Sequence, residues 1–325
     1  MDKNQVHDVD AAMLAAWPLP QPGTGGDKEV RGHILIIGGS REMPGAIILA
    51  ATAALRAGAG KLTIATGASV AQLVALAMPE ARVIGLTEHD TDGFSLDAVA
   101  SLDPLADRVN AVLVGPGMRD EASTARLVHA LMPRLVEADV GLVLDACAMD
   151  VLLHPPEHWP KGKPMRFERP VIMTPHCGEM AHLTGIDKDC IVGLPDAPAL
   201  TAARDWNAVI ALKGARTVIA APDGTLWQHE GAGNIGLASS GSGDVLAGII
   251  GGLLARGATE AQAACWGVAL HARAGDRLAE QLGTLGYLAR ELAAEVPVLL
   301  EQLGRQDKPK GTGPMPVAGD VHLGT

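Results

Sequence analysis

The stretch GHILIIGGSREMPGAIILAATAALRAGAGKLTIAT, residues 32–66, decides the fold. HILIIG at 33–38 is a short apolar run, the pattern of a strand buried on both faces. An Ala-rich helical stretch follows at 46–57 and stops at Gly58. KLTIAT at 61–66 is a second apolar run. Two strands joined through a helix lie parallel, because a short hairpin cannot connect them that way. The rhythm repeats outward in RVIGL at 82–86, AVLVG at 111–115, GLVLD at 141–145 and PVIMT at 170–174, with helical stretches between most of them. Such alternation predicts an α/β protein whose central, mostly parallel sheet is covered by helices on both faces.

After residue 207 the spacing tightens. NAVIALKG, ARTVIAA and GTLWQHE follow one another closely, with PDG at 222–224 marking a turn, and predict hairpin-linked strands at a sheet edge. Three long helical stretches follow, at about 243–256, 259–281 and 287–302. Residues 1–32, with WPLPQPGTGG at 17–26, are expected to form an irregular arm. Residues 33–303 are expected to be one catalytic domain, and the Gly-, Pro- and charge-rich tail 304–325 to be disordered.

Of the 325 residues, 48% are hydrophobic but only 2% aromatic, so the core must be built of Ala, Leu, Val and Ile. Scarce aromatics disfavour base stacking, and a net charge of −11 disfavours the nucleic-acid backbone. A small anion can still find a locally positive pocket. Cys147, Cys177, Cys190 and Cys265 show no CxxC pair, which fits reduced thiols rather than a zinc knuckle or a redox couple. The polar start MDKNQVHDVD is unlike a signal peptide, and apolar runs such as 245–255 fall short of the ~20 residues that span a bilayer. A cytoplasmic protein without membrane or nucleic-acid partners is expected.

Chemistry concentrates in GNIGLASSGSGDVLAGIIGGLLARG at 233–257. Glycines and small residues before an apolar helix leave free amides that cradle an anion. Asp244 falls in the first helical turn, where the dipole should keep it ionised, ready to accept a hydroxyl proton beside a bound phosphate. A glycine turn with a capping acid is the plainer alternative. In LKGART at 212–217, Lys213 could reach a phosphate from a strand end, or be an ordinary hairpin lysine. TPHCGEM at 174–180 puts His176 and Glu179 just after a strand, where open α/β sheets bind ligands. GPGM at 115–118 is a βα turn that lets backbone approach a ligand. GGSREMPG at 38–45 lacks the GxGxxG spacing, no acid ends KLTIAT, and no Walker A motif occurs.

In this order the motifs resemble the ADP-dependent NAD(P)H-hydrate dehydratase family of the ribokinase-like superfamily. The resemblance spans about 31–300 and includes VLVGPGM, LDACAMDVL, TPHCGEM, LKGART and the 233–257 stretch. It implies a ribokinase-like fold and repair of 6-hydroxylated NADH and NADPH (NADHX and NADPHX), with ADP and Mg²⁺ consumed or required and AMP and phosphate released. It implies that Ala46, Gly117 and His176 contact the hydrate. Lys213, Gly214, Ala215, Arg216, Thr217 and Gly243 would contact the nucleotide, Asp244 the substrate hydroxyl, and Glu179 the magnesium ion. A homo-oligomer, a tetramer, is likewise implied. The chain departs from the family at DACAMD, where Cys147 replaces an acid and Asp150 an amide of a DADALN-like stretch, at TPHCGE, and at N-I-G over 234–236. The rival readings are a ribokinase-like kinase of a small alcohol and a nucleotide-binding protein without catalysis.

Overall fold

The computed structural model describes residues 6–21, 30–89, 93–231 and 235–304. Its strands are β1 Val6–Asp8, β2 His33–Ile37, β3 Lys61–Gly67, β4 Arg82–Leu86, β5 Ala111–Val114, β6 Gly141–Leu144, β7 Val171–Met173, β8 Ala208–Leu212, β9 Thr217–Ala220 and β10 Leu226–His229. Its α-helices are α1 Ala11–Ala16, α2 Pro44–Arg56, α3 Ala71–Ala77, α4 Asp97–Leu102, α5 Glu121–Glu137, α6 Cys177–Thr184, α7 Lys188–Gly193, α8 Asp196–Trp206, α9 Ser242–Ala255, α10 Glu260–Leu282 and α11 Ala289–Gly304. A 3₁₀ segment over Ala146–Leu152 follows β6. The strands form one sheet in the order β1-β10-β9-β8-β7-β6-β5-β2-β3-β4. All neighbours are parallel except β9, which runs antiparallel to both β8 and β10. The hairpins expected after residue 207 are therefore present.

Alternate residues of each central strand face opposite cores, as a period of two requires. Ile34 and Ile36 of β2 pack with α2, α9 and α10, whereas Leu35 and Ile37 pack with the α4–α5 side. Ala111 and Leu113 against Val112 and Val114 repeat this on β5. Both faces are thus covered, which explains the unbroken apolar runs. On the first face α9 lies hard against α2. A Cβ on Gly248 would stand 2.2 Å from the Ala50 carbonyl oxygen, and one on Gly252 2.5 Å from that of Ala54. Glycine at these two positions is what lets the helices meet backbone to backbone.

The expectation of an irregular arm over 1–32 is corrected at two places. β1 adds to the sheet edge with Val6 opposite Leu226, and Gln228 Nε2 donates to Asp8 Oδ1 at 2.8 Å. α1 begins at Asp10, whose Oδ1 accepts from Met13 N at 2.8 Å, and buries Leu14 completely. A three-residue strand and a six-residue helix carry too little periodicity to be seen in a sequence. They exist because β10 offers an open edge and α11 a surface against which α1 packs. Trp266 Nε1 and Gln262 Nε2 then fix the chain after α1 by donating to the Trp17 carbonyl at 2.9 and 3.1 Å. The tail expected to be disordered lies, from residue 305, outside the described residues.

Candidate active site

The C-terminal ends of β6, β7 and β8 bring three motifs together. Past β8 the backbone stays beside the segment after β7: Lys213 N donates to Pro175 O at 2.8 Å, and His176 and Lys213 form an isolated parallel bridge. This extension aims Lys213 across the strand ends. Its Nζ lies 3.5 Å from Asp145 Oδ1 and 3.8 Å from Glu179 Oε2. Burial alone would lower the Lys213 pKa, but the charges of Asp145, Glu179 and Asp244 outweigh it and hold the pKa above its usual value. Asp145 is almost fully buried and accepts from Thr174 Oγ1 at 2.5 Å. The next residue, Ala146, has φ +47°, a left-handed conformation that costs a non-glycine residue about 1–2 kcal/mol. Such strain at the turn after β6 is tolerated where Asp145 is presented.

His176 caps α6. Its Nδ1 accepts from Gly178 N at 2.9 Å and Glu179 N at 3.0 Å, while Glu179 Oε2 accepts from His176 N at 2.7 Å. An Nδ1 that accepts two amides carries no proton, so the ring presents Nε2–H. That side chain is 58% exposed, enough to meet a ligand.

The Gly-rich turn closes the arrangement from above. Gly241, at φ +86°, leads into α9, and a Cβ there would also meet Leu49 Cδ1 at 2.5 Å. A Cβ on Gly243 would stand 3.4 Å from Lys213 Nζ, so the ammonium lies directly on the turn. Around this junction opens a cleft of about 730 Å³ lined by Lys213, Gly214, Ala215, Thr217, Ser242 and Gly243, among others. A second cavity, of about 420 Å³, lies on the other side of His176, which lines both. A third, of about 760 Å³, opens at the opposite end of the sheet beside Trp17 and Trp227 but lacks such a charge cluster. An apolar helix behind free amides, a paired lysine and nearby carboxylates make the first cleft suited to a phosphorylated ligand.

The profile of the family described as NAD(P)H-hydrate dehydratase matches residues 34–298. The chain belongs to that family. It is 48% identical over 301 residues to the ADP-dependent (S)-NAD(P)H-hydrate dehydratase of Xanthomonas campestris, covering 93% of this chain and 98% of the relative. Its structure resembles that of the ADP/ATP-dependent NAD(P)H-hydrate dehydratase of Bacillus subtilis co-crystallised with ATP and Mg²⁺, at a TM-score of 0.74 and 30% identity, covering 92% of this chain and 99% of the other. A ribokinase-like superfamily protein of Enterococcus faecalis shares the fold, at a TM-score of 0.75 and 24% identity over 93% of this chain and 97% of that one. The α/β, ribokinase-like architecture expected from sequence is thus the one found.

In this member of the hydrate dehydratase family, the residues singled out from sequence fall into groups. His176, Lys213, Gly214, Ala215, Thr217 and Gly243 line the cleft. Glu179 stands at its charged corner and lines the smaller cavity. Ala46 and Gly117 meet each other, a Cβ on Gly117 lying 3.0 Å from Ala46 Cβ, but line neither cavity. Arg216 is held elsewhere: its guanidinium donates to Asp196 Oδ1 and Gln228 Oε1, each at 2.7 Å.

The expectation that the helix dipole keeps Asp244 ionised is corrected. Burial, reinforced by the Asp145 charge and only partly offset by Lys213, raises its carboxyl to about 7. Desolvation outweighs the dipole because the first turn of α9 lies inside the cleft rather than at the surface. Sequence reasoning also missed His271, which lines the cleft from mid-α10 with Nε2 3.0 Å from both Oγ and the carbonyl of Ser242. The carbonyl can only accept, so Nε2 carries the proton. Burial lowers the ring to about 4 and keeps it neutral. Its signal was a lone histidine in the Ala-rich run VALHARAG at 268–275, which reads equally as core.

Proposed function

We propose that this chain is an ADP-dependent (S)-NAD(P)H-hydrate dehydratase that returns the 6-hydroxylated cofactors to NADH and NADPH, releasing AMP and phosphate. The supporting observation is the junction at which the Lys213 ammonium lies on Gly243 beside Asp145, Glu179 and Asp244. In this reading Lys213 and the amides of the Gly-rich turn bind the diphosphate of ADP. Lys213, Gly214, Ala215, Arg216, Thr217 and Gly243 are its nucleotide contacts. Ala46, Gly117 and His176 hold the hydrate, with His176 Nε2–H as a donor.

Hydroxide is a poor leaving group, so the hydroxyl is converted first. Asp244 takes the 6-hydroxyl proton as that oxygen attacks the terminal phosphorus of ADP, and the bond to the bridging oxygen breaks to release AMP. A carboxyl near 7 suits this proton transfer at neutral pH. The ring-nitrogen lone pair then expels phosphate, which leaves with the carbon–oxygen electron pair. Loss of a proton from the adjacent ring carbon restores the dihydropyridine. Lys213 holds the charge that builds on the transferring group.

Hard carboxylate oxygens fit Mg²⁺; Oε2 of Glu179 accepts from His176 N, and Oε1, 3.7 Å from His176 Nε2, is the oxygen that would turn to an ion. Magnesium would supply neutralisation of the diphosphate charge there. A cytoplasmic homo-oligomer, a tetramer, belongs to the same reading; sedimentation equilibrium reads the assembly. Among the described residues no helix is long and apolar enough to cross a membrane.

The deciding experiment mixes protein, NADH hydrate, ADP and Mg²⁺ and follows absorbance at about 340 nm, a wavelength set by the dihydronicotinamide chemistry of the cofactor. Equimolar NADH and AMP are expected. A phosphate ester accumulating without NADH would overturn the dehydratase reading in favour of a kinase.

A further inference from the structure

The dehydratase chemistry gives no task to His271, which lines the cleft of about 730 Å³ from mid-α10. Its Nε2 stands 3.0 Å from both the carbonyl oxygen and the Oγ of Ser242, the first residue of α9. The carbonyl has no proton to give, so Nε2 carries it and donates to both oxygens. Ser242 Oγ therefore accepts from His271, and its own hydrogen must go elsewhere. We propose that His271 is a positioning residue that makes the Ser242 hydroxyl a fixed donor toward a phosphate in this cleft. The inference rests on the reading of the cleft as a nucleotide site.

Among the described residues no group other than His271 pairs with Ser242 Oγ. Ser242 is only 4% exposed and lines the cleft with Lys213 and Gly243. A buried hydroxyl that lacks an acceptor is destabilising, and a phosphate oxygen in the cleft supplies one.

Ser239 is an independent observation. It belongs to the same turn and lines the same cleft, and its buried Oγ has no hydrogen-bond partner among the described residues. The helix start is open as well. Gly241, at the N-cap of α9, offers no side chain to its first amides. Lys213 Nζ lies 3.4 Å from where a Cβ on Gly243 would stand, so these groups gather beside an ammonium. Unspent hydroxyls around a positive charge suit a ligand with several anionic acceptor oxygens.

Imidazole suits the task because it stays neutral. Burial, with the Lys213 charge adding to it, lowers the ring to about 4. Across the neutral range Nε2–H is therefore one directed donor with a constant orientation. If His271 served only to pack α10 against α9, the hydroxyl would not depend on which polar side chain stood there.

The test is calorimetric titration with ADP and Mg²⁺ of wild type, Ser242→Ala, His271→Gln, His271→Asn and the double variant Ser242→Ala/His271→Asn, with a melting curve on each. A hydrogen bond to a charged group is worth about 10–100-fold in affinity, so Ser242→Ala is expected to bind ADP at least about tenfold more weakly. Gln places an Nε2 donor where imidazole has one, and is expected to keep ADP affinity within about threefold of wild type. Asn is too short to reach Ser242, and is expected to weaken ADP by about 3–10-fold. The double variant should bind as Ser242→Ala does, because His271 acts through that hydroxyl. Equal ADP affinity in wild type and Ser242→Ala, equal losses with Gln and Asn, or losses that multiply in the double variant overturn the proposal. Wild type that binds no ADP would overturn the nucleotide reading of the cleft and the proposal with it. Ser242→Ala alters one small side chain, so unchanged affinity in that variant decides the matter even if His271→Asn does not fold.

Discussion

Replacing Asp244 with Asn removes the proposed base while keeping the size of the side chain, and its two effects are expected to run in opposite directions. The rate effect follows from the mechanism: a lost general base costs about 10²–10⁴-fold in turnover. The stability effect follows from the environment. The carboxyl titrates near 3.8 when unfolded and about 7 when folded, a raised value caused first by burial and then by the Asp145 charge. Between those two values the folded state binds more protons than the unfolded state, so stability falls as pH rises through that window. About three units at roughly 1.36 kcal/mol each sets a ceiling of about 4 kcal/mol above pH 7. Local relaxation and a high effective dielectric leave about 1–2 kcal/mol of it. Asn carries no such cost. The variant should therefore melt about 2–8 °C above wild type at pH 8, with the difference vanishing near pH 4. The assays are kcat at saturating ADP and hydrate, and melting curves at both pH values on one preparation. Turnover within about threefold of wild type would refute the base assignment. A lower melting temperature at pH 8 would refute the account of why the carboxyl titrates so high.

Lys213→Ala is expected to weaken ADP binding by about 10–100-fold, the loss of one charge-assisted hydrogen bond, while hydrate affinity holds; unchanged ADP affinity by calorimetry would remove Lys213 from the site. Arg216→Ala should leave nucleotide affinity within about threefold, because its guanidinium is engaged by Asp196 and Gln228, and a large loss of affinity would show that it leaves those partners on binding. Gly248→Ala should lower stability by about 1–3 kcal/mol, since the added carbon meets the Ala50 carbonyl at 2.2 Å, and an unaltered melting temperature would mean that α2 and α9 separate freely. ADP is expected to support faster turnover than ATP in matched saturation series; equal or faster rates with ATP would count against ADP as the donor.

Much of the architecture was legible because its carriers are local. Strands buried on both faces read as unbroken apolar runs, and β2, α2 and β3 follow from residues 32–66 alone. The close sequence of β8, β9 and β10 announced the antiparallel edge in the same way. The loop motifs stood out as glycines, Lys213 and Asp244 at particular spacings, and the structure brings His176, Lys213 and Gly243 to one cleft. β1 and α1 did not, since elements of three and six residues owe their form to an edge and a surface supplied by chain some 200 residues away. The same holds for charge. Sequence alone places Asp244 at a helix start, where the dipole argument keeps it ionised. Only the tertiary structure sets that turn inside a cleft, facing Asp145 and sharing Lys213 with it. It likewise turns Arg216 to Asp196 and brings His271 under Ser242. Residue type and spacing are properties of the chain, whereas desolvation and the distance between charges exist only once remote segments have packed.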